Sequence, residues 1–138
     1  MSEASSPCCP PGSWEGTLDV NGPSPPKGSF VTMDEANNTV KAYYASPSNK
    51  ESTFGVIAFH DVWGHLPRLL SICDALAEQG GFHVMAPDVF RSKTKDDVED
   101  MLAWLKEYPY DEVVAKDIDA CMQYLKTKHN VTSFGAVG

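Results

Sequence analysis

FGVIAFHDVWG, Phe54 to Gly64, joins a short unbroken apolar run to a loop crowded with polar and aromatic side chains. A strand with one wet face alternates apolar and polar residues, whereas a strand covered on both faces is apolar throughout. Gly55 to Phe59 is of the second kind and predicts a buried strand of a parallel sheet. His60, Asp61, Trp63 and His65 follow within six positions, where that strand ends and the chain must turn. In open α/β sheets ligands bind outside the carboxyl ends of the strands, so this loop is where function is expected.

Working outward, Pro67 suits the first turn of a helix, and Leu66, Leu69, Leu70, Cys73, Leu76 and Ala77 recur at spacings of three and four. Gly80 and Gly81 stop that helix, and Phe82 to Pro87 is a second buried strand. Strand, helix, strand predicts parallel pairing through a crossover connection. Upstream, Gly28 to Met33 and Thr39 to Ala45 are rich in β-branched and aromatic residues and flank a polar loop, which predicts an antiparallel hairpin. Downstream, an acidic first turn from Asp96 with Val98, Met101, Leu102 and Leu105 on one face predicts a helix ended by Pro109. A third helix is expected from Asp111 to Lys128, with Val114, Ile118, Cys121, Met122 and Leu125 facing inward and Asn130 as its cap. Ser133 to Gly138 starts another strand with no helix after it, so the sequence reads as cut. The expected class is α/β: a parallel sheet flanked by helices, with an N-terminal antiparallel hairpin.

Length allows one domain. Most of the ten prolines lie in residues 1–27, which show no period of two or 3.6 and read as a Pro-rich tail, leaving residues 28–138 as the globular body. A net charge of -8 argues against nucleic acid or an anionic membrane as partner. The chain has no run long enough to span a bilayer and no basic-then-apolar leader, and Ser2 stands where myristoylation needs glycine, so a cytoplasmic protein is expected. Cys73 and Cys121 fall on apolar helix faces, and Cys8 and Cys9 lack a second pair at zinc-ligand spacing, which suits a reducing compartment.

Taken residue by residue, Asp61 suits a capping or loop-holding carboxylate, His60 a packed imidazole, Trp63 a core ring and Asp88 a tie for the strand-end turn. Arg91, just past that turn, suits either a solvated charge or a contact to a substrate carboxylate. His60, His65 and Asp61 on one short loop lack a further ligand, and no metal is expected there.

Four motifs occur in order: CCPPGSW at Cys8 to Trp14, HDVWG at His60 to Gly64, MAPDVF at Met85 to Phe90 and FGAVG at Phe134 to Gly138. In these the chain resembles the dienelactone hydrolase family, a branch of the α/β-hydrolases, over the first half of the family's domain. The resemblance implies hydrolysis of a small ester or lactone by a cysteine nucleophile in a G-x-C-x-G turn, with Gly138 as the first glycine and the cysteine just beyond it. The cysteine, and the aspartate and histidine that complete its triad, are absent from this sequence, so the chain by itself is expected to be inactive. Asp61 stands where the family has an acid, usually Glu, that controls the thiol; the Val62 N–H would join the oxyanion hole and Trp63 would line the substrate pocket. No metal or organic cofactor is implied. Two other readings stay open. One is a non-catalytic module that pairs its sheet edge with a partner; the other is a dinucleotide-binding domain whose glycine loop begins at FGAVG. Oligomeric state is open.

Overall fold

Ser29–Glu35 (β1) and Asn38–Ala45 (β2) form the antiparallel hairpin, in register from Ser29 opposite Tyr44 to Glu35 opposite Asn38. The computed structural model describes residues 25–35 and 38–138, so the Cys8 to Trp14 motif and the Cys8–Cys9 pair lie outside the described residues. Beyond the hairpin follow Phe54–Ala58 (β3), Pro67–Gly80 (α1), His83–Pro87 (β4), Met101–Lys106 (α2), Ala115–His129 (α3) and Ser133–Val137 (β5). The five strands form one sheet in the order β1-β2-β4-β3-β5, parallel for β4, β3 and β5 and antiparallel where β2 joins.

Side chains alternate across a strand, so neighbouring residues feed opposite cores. Ala42, Ile57 and Met85 pack with Ala120, Cys121 and Leu125 of α3. Their neighbours Tyr43, Val56 and Val84 pack with Leu70, Cys73 and Ala77 of α1 on the other face. A helix on each face explains why Gly55 to Ala58 of β3 and Val84 to Pro87 of β4 are buried and apolar. Gly81, in left-handed conformation with φ 73°, closes α1 by donating its N–H to Ala77, a geometry that favours glycine. Asn130 caps α3 in the same way at φ 55°, as expected.

The helix expected from Asp96 is broken in two. Thr94 and Asp97 close a capping box on a single 3-10 turn, Lys95–Asp97, after which Val98 is extended. Asp100 then caps a fresh helix, accepting the Ala103 N–H at 3.1 Å. Short polar side chains here outcompete the helical ladder for backbone donors. Restarting at Met101 changes the phase: Trp104 turns inward against Phe90, ring centroids 4.5 Å apart, while Leu102 is 68% exposed. The third helix also starts later than expected, after a π turn over Tyr110–Val114.

At the amino end of β4 the Tyr44 hydroxyl lies 2.8 Å from His83 Nδ1 and 3.4 Å from His129 Nδ1, and the two imidazoles stack at 4.8 Å. His83 is fully buried, and its Nε2 has no hydrogen-bond partner among the described residues. Burial lowers the pKa of both rings, and for His129 the neighbouring His83 adds to the effect. With the folded pKa below the unfolded one, the unfolded chain binds protons first. Stability is therefore intact above the ordinary histidine pKa of about 6.5 and falls as pH drops below it. Urea unfolding should give a lower midpoint at about pH 5.5 than at about pH 7.5, with a smaller difference in His83→Phe.

Candidate functional site

The loop after β3 is held by its own backbone. The Asp61 carbonyl accepts the Gly64 N–H at 3.1 Å, and Gly64 sits at φ 77° to allow the turn. His60 Nε2 accepts the Val89 N–H at 3.2 Å, so its proton is on Nδ1, which donates to the same Asp61 carbonyl at 2.7 Å. That carbonyl is thus clamped by two donors. In a planar trans peptide the following N–H points the opposite way, so the clamp turns the Val62 N–H away from His60. None of the described residues accepts that N–H. The Asp61 carboxylate is exposed and takes the Trp63 N–H at 2.8 Å, the loop-holding role open to it from sequence. Trp63 is 39% exposed, with the Lys95 ammonium 5.1 Å above its ring.

The turn after β4 stands beside this loop, joined to it by the Lys95 N–H on the Val62 carbonyl at 2.8 Å and by the His60–Val89 bond. Arg91 and Ser92 both adopt positive φ, 54° and 68°, a conformation that costs side-chain-bearing residues energy. Four hydrogen bonds hold them there. Ser92 Oγ donates to Asp88 Oδ2 at 3.0 Å, Arg91 donates to the Asp88 carbonyl at 2.9 Å, and its guanidinium forks onto Asp117 at 2.7 and 3.0 Å. Asp88 therefore ties down the strand-end turn, as read from sequence. Asp117 is fully buried on α3. The sequence reading missed it because an aspartate at a helical position is ordinarily solvated; Arg91 a turn away from the strand end is the one signal that a partner was needed.

A cavity of about 210 Å³ opens between the two turns, lined by Phe30, Lys41, Gly64, His65, Asp88 and Ser92 among others. Asp61, Val62, Trp63 and Arg91 are not in its wall. His65 donates Nε2–H to the Ala86 carbonyl at 2.8 Å, the role its place in the acceptor geometry assigns, and burial lowers its pKa. Cys73 and Cys121 are buried, and desolvation pushes each pKa up to about 12, which disfavours the thiolate form that nucleophilic attack requires.

Residues 40–138 match the model of the dienelactone hydrolase family, which covers more than half of the chain. The chain belongs to the dienelactone hydrolase family. Among curated proteins it is similar to the hydrolase tropI of Talaromyces stipitatus, 27% identical over 125 residues that cover 82% of this chain and 47% of that protein. Among solved structures it is similar to a candidate dienelactone hydrolase of Klebsiella pneumoniae, with a TM-score of 0.52, 19% identity and coverage of 79% of this chain and 48% of that one. An α/β-hydrolase-fold protein of unknown function gives a TM-score of 0.50 at 14% identity, covering 83% of this chain and 35% of the other. The fold is the α/β-hydrolase fold, and the chain spans about half the length of the first relatives it matches. Among the described residues no helix is long and apolar enough to cross a membrane.

Removing one partner of a buried ion pair leaves an uncompensated charge, at a cost of about 3–5 kcal/mol, whereas replacing both by apolar residues is close to neutral. Arg91→Ala should therefore destabilise the family member by about 3 kcal/mol or more in urea unfolding. The double variant Arg91→Met, Asp117→Leu should recover most of that loss.

Proposed function

We propose that this chain is the catalytic-loop half of a hydrolase that cleaves a small ester or lactone, with a cysteine nucleophile contributed by sequence C-terminal to Gly138. The observation that carries the reading is the clamped Asp61 carbonyl, which presents the Val62 N–H at the carboxyl end of β3. The end of β5 lies alongside, where the Phe59 N–H donates to the Val137 carbonyl at 2.9 Å. A nucleophile following β5 would enter the same end of the sheet as the Asp61 loop.

The chemistry is acyl transfer. A thiolate adds to the acyl carbon, and the Val62 N–H is one donor to the resulting oxyanion. The C–O bond breaks, the leaving oxygen takes a proton, and a thioester remains; water then adds to it, releasing the acid and returning the thiol. Asp61 sits beside the thiol and controls its ionisation, and Trp63 forms part of the substrate wall. Arg91 acts by holding the β4 turn through Asp117 rather than by meeting substrate. Cys73 and Cys121, buried and with raised pKa, support the view that the 138 residues alone are inactive.

A specific observation also favours a second reading, a binding module that adds a partner strand. β5 is a sheet edge; Val137 within it is 38% exposed and Phe54 on the neighbouring β3 is 55% exposed.

Hydrolysis of p-nitrophenyl acetate and of an enol-lactone decides between them. The longer protein should be active, lose activity on treatment with iodoacetamide, and lose at least about tenfold in kcat/KM in Asp61→Ala, equivalent to about 1.4 kcal/mol of transition-state stabilisation. The 138-residue chain should show no hydrolysis. Activity in the short chain, or activity in the long one that survives thiol alkylation, would overturn the reading; a stable complex with no hydrolysis at either length would favour the module.

A further inference from the structure

We propose that His60, His65 and Asp88 form a binding site for a divalent transition cation, with zinc the best match to the donor set. This inference is independent of the hydrolase reading. The sequence places only His60, Asp61 and His65 on one loop and leaves them short of a ligand; the fold supplies one, not from that loop but from the end of β4. One donor atom from each of His60, His65 and Asp88 lies within 4.8 Å of the others. His60 Nε2 and Asp88 Oδ1 are 3.9 Å apart. Three donors around a tetrahedral zinc at about 2.1 Å stand roughly 3.4 Å from one another, so the observed set is an open jaw that small side-chain rotations close.

The second observation is how the imidazoles are held. A metal-bound histidine nearly always gives its other N–H to a carbonyl or carboxylate, which fixes the ring and its tautomer. Both rings do this here: His60 donates Nδ1–H to the Asp61 carbonyl and His65 donates Nε2–H to the Ala86 carbonyl. Each keeps one unprotonated nitrogen. Asp88 is oriented too, with Oδ2 accepting from Ser92 and Oδ1 turned toward His60. The one bond a cation must displace is the long Val89 N–H contact to His60 Nε2, 3.2 Å. The His60 side chain is fully enclosed, while His65 and Asp88 border the cavity of about 210 Å³, which leaves a fourth position open to a small ligand. Lys41 and Lys93 line the same cavity. Their charge opposes the cation and favours an anionic fourth ligand, hydroxide or carboxylate, over neutral water. A bound ion would tie the β3 loop to the β4 turn.

The test is to titrate the metal-free 138-residue chain with Zn²⁺ by calorimetry and with Co²⁺ by visible absorption. The expected result is one ion per chain and a four-coordinate cobalt spectrum without a sulfur-to-metal charge-transfer band. His65→Gln and Asp88→Asn should each weaken binding by at least about a hundredfold while circular dichroism shows the fold intact. If Asp88→Asn unfolds, His65→Gln decides, since its amide can still reach the Ala86 carbonyl. Three results overturn the site: no binding of either ion, a sulfur charge-transfer band that assigns the ion to cysteine thiolates, or binding unchanged in His65→Gln.

Discussion

Covering β3 and β4 on both faces is the constraint from which the rest of the molecule follows. A strand buried on two sides cannot carry an unpaired polar side chain except at considerable cost, so polar groups collect at the strand ends. One end holds the Tyr44, His83 and His129 cluster; the other holds His60, Asp61, His65 and Asp88. The first end is closed and its rings lean on one another. The second opens to a cavity and to solvent; its two imidazoles are oriented by backbone carbonyls, of Asp61 in the loop after β3 and of Ala86 in β4, and its carboxylates by the Trp63 N–H and the Ser92 hydroxyl.

Buried carboxylates elsewhere meet the same cost by pairing with donors. Asp74 on α1 takes the Tyr43 hydroxyl at 2.6 Å and the Lys27 N–H at 3.0 Å, which fastens the approach to β1 onto the helix. Asp117 on α3 takes the Arg91 fork and so couples that helix to a turn with two positive-φ residues. Both pairs join elements distant in sequence. At the Arg91–Asp117 pair a well-packed apolar pair would serve stability about equally, whereas loss of one partner would strand a buried charge.

Much of this was legible in the sequence. The unbroken run Gly55 to Phe59 and the three-and-four spacing from Leu66 to Ala77 express a periodicity that burial enforces, and the strands and α1 fall where that periodicity puts them. The Asp96 helix failed for a reason that periodicity cannot register. Thr94, Asp97 and Asp100 each spend a side chain on the backbone, and the restart they impose put Trp104 rather than Leu102 inside. At the site, His60, Asp61, Trp63 and His65 stood out by their position after a buried strand and Val62 only through the family resemblance, yet the two-donor clamp on the Asp61 carbonyl depends on Val89 and Gly64 as well as His60. Pairings such as Arg91 with Asp117 join residues 26 apart in sequence; no local pattern encodes them.

The sheet order carries a consequence for how the chain is made. β3 lies between β4 and β5, with Phe54 paired to Ser133. On a ribosome adding about 5–20 residues per second, one side of β3 therefore stays open for several seconds after the strand emerges, until α1, β4 and α3 have all been synthesised. During that interval its unpaired backbone is open to wrong pairing. The β3–β5 pair can close only once a strand encoded far downstream has arrived, and pairs so distant in sequence carry a larger loop-closure cost than a helix does.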